Sequence, residues 1–90
     1  MPFHFHGPGF AETSIGRKRW FLYPPEQKPD FDPDKSTTQW FIDEYSNLKN
    51  KPFECVLHPF DVIYFPDRWW HATLNIDPIV VFISTFLSPI

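Results

Sequence analysis

The sequence predicts an all-β domain, an antiparallel barrel or double-sheet roll with one short helix in an insertion. Three observations predict it. Eleven Pro and three Gly cut the 90 residues into short segments, which suits many strands better than long helices. Several segments alternate with a period of two, and the last is rich in β-branched and aromatic residues. Aromatic residues make up 20% of the chain, which excludes a disordered segment, where they are scarce. Ninety residues make at most one domain, with a modest core that buries roughly 60–65% of the unfolded surface.

Phe3 to His6 reads as the end of a strand, with Phe3 and Phe5 on one face and His4 and His6 on the other. Gly7-Pro8-Gly9 is a turn. Phe10 to Ile15 forms a short strand that Gly16 turns. Lys18 to Tyr23 is the clearest strand of the first half: Lys18, Trp20 and Leu22 share one face, and Arg19, Phe21 and Tyr23 the other. Pro24-Pro25 stops it, and residues 26–35 form a polar, proline-rich loop. Ser36-Thr37-Thr38-Gln39 has the form of a capping box, so a helix is expected at about Thr37–Tyr45, with loop from Asn47 to Pro52. Strands follow at Phe53–Leu57 and Val62–Phe65, joined by a turn at Pro59-Phe60-Asp61. Pro66-Asp67-Arg68 leads through Trp69-Trp70-His71 into a strand at Ala72–Ile76. Asp77-Pro78 breaks it, and Ile79–Leu87 is the final strand.

Bulk properties exclude several classes. Net charge is −3, and the one basic cluster, Arg17-Lys18-Arg19, lies inside a strand pattern, so no nucleic-acid face is expected. Cys55 is the only cysteine, so no intrachain disulfide can form. The apolar run Ile79–Ile83 is far too short to span a bilayer, and no secretory segment follows Met1. The chain is expected to be soluble, with no membrane insertion and no readable address.

The chemistry centres on three histidines. Residues i and i+2 of a strand point the same way, so His4 and His6 can close on one metal ion. Imidazole suits Fe, Zn, Ni and Cu. A third ligand is needed, and His71 is the candidate. Lys18, if its face is inward, needs an anionic partner, because a lone buried charge is expensive; a small-molecule carboxylate would serve. The alternative turns Lys18 outward. Glu12 is a possible fourth ligand or acceptor near the histidines, or else a solvated strand carboxylate. His58, beside Pro59 in a turn, has no expected ligand role, and Cys55 is expected to be a small core residue.

Three phrases carry a resemblance. Phe3-His4-Phe5-His6-Gly7-Pro8-Gly9, then the run from Gly16 through Lys18-Arg19-Trp20 to Pro25, then the run from Val62 through Trp69-Trp70-His71 to Asn75 resemble the JmjC (jumonji-C) branch of the cupin superfamily. The resemblance covers nearly the whole chain. It implies a double-stranded β-helix, a jelly roll, of which these residues are the C-terminal portion, because further strands normally precede the first metal-binding strand. It also implies Fe(II), or another divalent metal, and 2-oxoglutarate as cofactors, in hydroxylation or demethylation of a protein substrate. His4 and His71 match two ligands of the facial triad. Lys18 matches the residue that pairs with the far carboxylate of 2-oxoglutarate, and Asn75 the polar residue that follows the last ligand, a hydrogen-bond donor for the cofactor site. Resemblance within the branch points to the lumen of the endoplasmic reticulum.

The chain departs from the pattern in three places. His6 stands where the triad has its acid, and Phe60 and Arg68 stand where cupins often place Gly. An imidazole for a carboxylate leaves the metal centre more positive by one unit. The sequence therefore supports two readings: an oxygenase with a His4, His6, His71 metal site, or a catalytically silent domain that engages a protein partner.

Overall fold

A computed structural model of the chain describes residues 3–5 and 7–86, the last of these by its backbone alone. Six strands run through the described residues: β1 (Gly9–Ile15), β2 (Lys18–Tyr23), β3 (Phe53–Leu57), β4 (Val62–Phe65), β5 (Trp70–Asn75) and β6 (Val81–Phe86). They form two antiparallel sheets ordered β4-β1-β6 and β3-β2-β5. The result is the expected double-sheet roll, an antiparallel jelly-roll portion. Between β2 and β3 lie one helix, α1 (Thr37–Asp43), and a 3₁₀ turn at Tyr45–Asn47.

The two sheets are buried differently. β1 alternates: Gly9, Ala11 and Thr13 face inward, and Phe10 and Glu12 face out. β2 is buried or half-buried along its whole length, as a strand covered on both faces should be. Its Trp20 and Leu22 join Ala11, Leu57 and Phe65 between the sheets. Its Phe21 and Tyr23 join Phe3, Trp40 and Ala72 in a second core on the far side.

The insertion provides that second layer. The Ser36 side chain accepts a hydrogen bond from the Gln39 backbone N–H at 3.1 Å, so the predicted start holds. The reciprocal half of the capping box does not form, because the Gln39 amide donates forward to Asp43 at 2.8 Å. The helix also ends before Tyr45, at the Glu44 cap. Trp40 is 2% exposed, and its indole N–H donates to the Asp30 carbonyl at 3.1 Å. Arg19 reaches up from β2, donating from Nε to Glu54 at 2.8 Å, with its guanidinium 4.9 Å from both the Phe21 and Phe41 ring centres.

β1 begins at Gly9 and β5 ends at Asn75, each one residue earlier than expected, and two strand starts differ by more. β5 begins at Trp70, so His71 lies within the ladder, not before it. The last strand begins at Val81 instead of Ile79. Gly16 explains the second shift: its φ is +75°, and a Cβ there would sit 2.2 Å from the Ile79 carbonyl oxygen. The Ile79 backbone thus seats the β1–β2 turn. Arg17 clamps the same corner, donating to Asp77 from its backbone N–H and from Nη2, each at 2.8 Å.

Phe60 and Arg68 both have positive φ, +75° and +59°. Each is the third residue of a turn closed by a backbone bond, Asp61 N–H to the His58 carbonyl and Trp69 N–H to the Pro66 carbonyl. A turn with φ above zero at that place favours Gly, so these two departures from the family pattern carry backbone strain.

Candidate functional site

His4 and His71 meet across the edge of the second sheet. His71 N–H donates to the His4 carbonyl at 2.9 Å, and His4 N–H to the His71 carbonyl at 3.2 Å. Residues directly opposed in an antiparallel pair share a face, so both imidazoles turn to the interior. Their ring centres lie 4.2 Å apart. Phe3 and Phe5 take the other side as expected: Phe3 is buried against Trp40, and Phe5 packs on Trp70.

The interior here is a cavity of about 430 Å³, walled by His4, Lys18, Trp20, Phe65, His71 and Phe82, with the hydroxyl residues Thr73 and Ser84. The His71 ring is buried between Phe65 and Trp20. Its Nδ1 lies 3.1 Å from the Trp69 carbonyl. A carbonyl can only accept, so Nδ1 is the donor, and the neutral ring then presents its lone pair at Nε2, the tautomer a metal ligand needs.

Lys18 is 6% exposed, which settles the face question in favour of the inward reading. Its Nζ sits 3.5 Å from the centre of the Phe82 ring. Burial pushes the ammonium below the usual lysine range. A ring face offsets only part of the lost hydration, and the cavity's described walls include no Asp or Glu.

Not every expected residue joins this group. His6 lies outside the described residues, and among the described residues no three His, Cys, Asp or Glu side chains gather at one point. Asn75 pairs with Lys18 in the ladder but lines an adjoining cavity of about 280 Å³, with Ser36, Thr37 and Thr38. Glu12 is on the outward face of β1, so it is the solvated carboxylate, not a ligand. His58 is exposed and bonds locally to Asp61. Cys55 packs against the inter-sheet core, and burial pushes its thiol up.

Sequence reasoning missed Thr73, Phe82 and Ser84. Thr73 was legible as the residue two beyond His71 on the same face. Ser84, a hydroxyl within an apolar strand, offered a weaker signal, and Phe82 offered none.

Residues 10–88 match the cupin-like domain family. The chain belongs to that family. This cupin-like domain is 58% identical to the JmjC domain-containing protein 8 of Mus musculus over 90 residues, which is 98% of the chain and 33% of that protein. Identity to the JmjC domain-containing protein 8 of Homo sapiens is also 58%, over 98% of the chain and 34% of the relative. The lysine-specific demethylase JMJ21 of Arabidopsis thaliana is 40% identical over 88 residues, 81% of the chain and 9% of that protein. The cupin-like domain thus spans about a third of the length of the first two relatives. No helix among its described residues is long and apolar enough to cross a membrane.

Proposed function

We propose that this cupin-like domain holds a divalent metal, Fe(II) in the first instance, at His4, His71 and His6, and takes 2-oxoglutarate into the same cavity. The supporting observation is Lys18, a buried ammonium sharing one cavity with two histidines and no described carboxylate. A dianion would supply what this cavity lacks. Its far carboxylate would take a charge-assisted bond from Lys18, and its other end would face the imidazoles. Fe(II) and 2-oxoglutarate, with O2 as the oxidant, would supply oxidising chemistry, the cosubstrate being decarboxylated to succinate as the target is oxidised, and the demethylase name of one relative supports a protein side chain as its target. The chain's own residues would bind and orient: the Trp69 carbonyl would hold the His71 ring through Nδ1, and the buried Trp20 and Phe65 would shield it from water.

With neutral imidazoles in place of an acid, the metal's charge would be offset by the cosubstrate. Metal and 2-oxoglutarate should therefore bind cooperatively, each raising the affinity of the other by the same factor. Titration of the 90-residue chain with 2-oxoglutarate, with and without Mn(II) as a redox-silent probe, tests this. Lys18→Met should weaken 2-oxoglutarate binding by roughly tenfold or more, the loss of one charged hydrogen bond. Equal binding by wild type and Lys18→Met would sink the cosubstrate assignment.

His6 favours a second reading, a catalytically silent domain that uses the roll for protein interaction. It replaces the residue that would partly neutralise the metal. Iron-dependent decarboxylation of 2-oxoglutarate by the wild-type chain supports the enzyme; cooperative binding without turnover supports the silent domain.

A further inference from the structure

The chain crosses from one sheet to the other in a single tight turn. Phe65 closes β4 of the β4-β1-β6 sheet, Trp70 opens β5 of the other, and Pro66, Asp67, Arg68 and Trp69 join them. The Trp69 N–H closes this turn on the Pro66 carbonyl, with Arg68 at a φ of +59°. Both sides of the turn hold His71. The Phe65 ring stacks on the imidazole, with centres 4.9 Å apart and planes 28° from parallel. The Trp69 carbonyl meets Nδ1 at 3.1 Å. One residue before Arg68 thus sets the face of the His71 ring, and one after it sets the edge.

Arg68 influences this arrangement through its backbone. Its side chain is 69% exposed, meets Asp67 at 3.7 Å and is not among the described walls of the cavity. Its φ sets the direction in which Trp69 leaves the turn. The Trp69 side chain is seated against the inter-sheet core and beside the Phe53 ring, so Trp69 has little room to turn back. The direction of its carbonyl therefore follows from Arg68. A side-chain-bearing residue holds such a φ where its surroundings over-determine it, often at a functional site.

The turn at Phe60 supplies a contrast within the same molecule. There φ is +75°, but the carbonyl that follows, on Asp61, accepts from the Thr13 backbone N–H at 3.2 Å. That turn extends a backbone ladder. The one at Arg68 reaches a side chain of the cavity.

We propose that the left-handed turn at Arg68 is a positioning device for His71: it aims the Trp69 carbonyl at Nδ1 and so keeps the lone pair of the neutral ring on Nε2. Without that acceptor the proton is free to sit on Nε2, and the ring then presents a donor where a metal needs a lone pair. The consequence for metal rests on the reading of His71 as a ligand; the tautomer does not.

Nitrogen-15 NMR of the histidine-labelled 90-residue chain tests the proposal, free of metal and near pH 8.5, above the ordinary imidazole value of about 6.5. In the wild type, His71 should carry its proton on Nδ1. Arg68→Gly fits the left-handed conformation and should keep that tautomer. Arg68→Val, whose branched side chain resists the conformation, should move the proton largely to Nε2. Phe60→Val imposes the same conflict on the other turn and should leave His71 unchanged. Zn(II), as the probe, should bind Arg68→Val about 10–100-fold more weakly than wild type or Arg68→Gly, the usual scale for losing the group that orients a histidine ligand.

A wild-type His71 with its proton on Nε2 would overturn the proposal without any variant, so the test holds even where Arg68→Val does not fold. An unchanged tautomer in a folded Arg68→Val would also overturn it. So would an equal shift in Phe60→Val, which would reduce the effect to general loosening of the roll. A shifted tautomer with unchanged Zn(II) affinity would uphold the positioning role and remove His71 from the metal site instead.

Discussion

The two sheets of this domain face each other across one cavity but differ on their outer sides. The sheet around β2 is covered twice, by its partner sheet and by the α1 layer. The sheet around β1 is covered once among the described residues, and its outer face presents Phe10, Val62, Tyr64 and Ile83 to solvent. Outer-face apolar residues therefore hold the fold together on one sheet and remain available on the other. Equivalent truncations should separate the two cases. Trp40→Ala removes the largest buried side chain of the α1 layer and should cost about 3–5 kcal/mol. Phe10→Ala, on the open face, should cost less than about 1 kcal/mol. Urea denaturation of both variants measures the difference. Similar losses would mean that the outer face of β1 is already packed, and the comparison would fail.

A smaller effect sharpens the covered side. Arg19 and Glu54 are 30% and 25% exposed at the side chain, so solvent screens their attraction only in part. The Arg19 guanidinium also lies over Phe21, Phe41 and Tyr45. Arg19→Met keeps the stem and removes the charge, and should cost roughly 1–2 kcal/mol by the sum of a partly buried ion pair and cation–π contacts. A Glu54→Gln, Arg19→Met double variant should recover part of that loss, because the stranded carboxylate is gone. Additive losses in this cycle would show that the pair is not coupled.

How much of this was legible follows from which interactions are local. The β2 run was readable on both faces because large side chains alternate at every position from Lys18 to Tyr23, and the structure uses both sides. The start of α1 was readable because Ser36 bonds only three residues ahead. The β1 strand was harder. Its inward residues are the small ones, Gly9, Ala11 and Thr13, packed under the large Trp20, Leu57 and Phe65 side chains of the inter-sheet core, and Phe10 is left outside. A rule that puts large apolar residues inward would invert this strand. The late start of β6 was illegible because its cause, the Ile79 carbonyl against Gly16, joins residues distant in sequence. The meeting of His4 with His71 is likewise non-local; residue types and spacing indicated it, and the resemblance strengthened it.

The turns at Phe60 and Arg68 give the next effect in size, and it has the opposite sign. Both residues hold positive φ, which costs an L-residue about 1–2 kcal/mol relative to an allowed region. Both are exposed, so little packing offsets the strain. Gly fits this conformation, though it loses more chain entropy on folding. Phe60→Gly and Arg68→Gly should each raise stability by about 1 kcal/mol or less. These turns enter β4 of the open sheet and β5 of the covered one, so the gain tests both sheets on the same scale. A loss at Phe60 alone would indicate that its ring packs on the open face.

The smallest effect joins the sheets through the cavity. Lys18 belongs to β2, and the ring beneath its ammonium, Phe82, belongs to β6. Burial lowers the folded-state pKa of Lys18 below its ordinary 10.5. In the window between those two values the unfolded chain binds more protons than the folded one, so stability should rise as pH increases through it. Lys18→Met should remove that rise, with no loss of stability at neutral pH, because the buried charge was a cost and not a support. Saturating 2-oxoglutarate should suppress the rise in the wild type, since a bound carboxylate favours the charged ammonium. Thermal melts from pH 8 to 10.5, each read against Lys18→Met, measure this term against the background of other lysines. A wild type whose melting temperature falls in parallel with the variant would place the ammonium in water, and the two sheets would then share a wall but no charge.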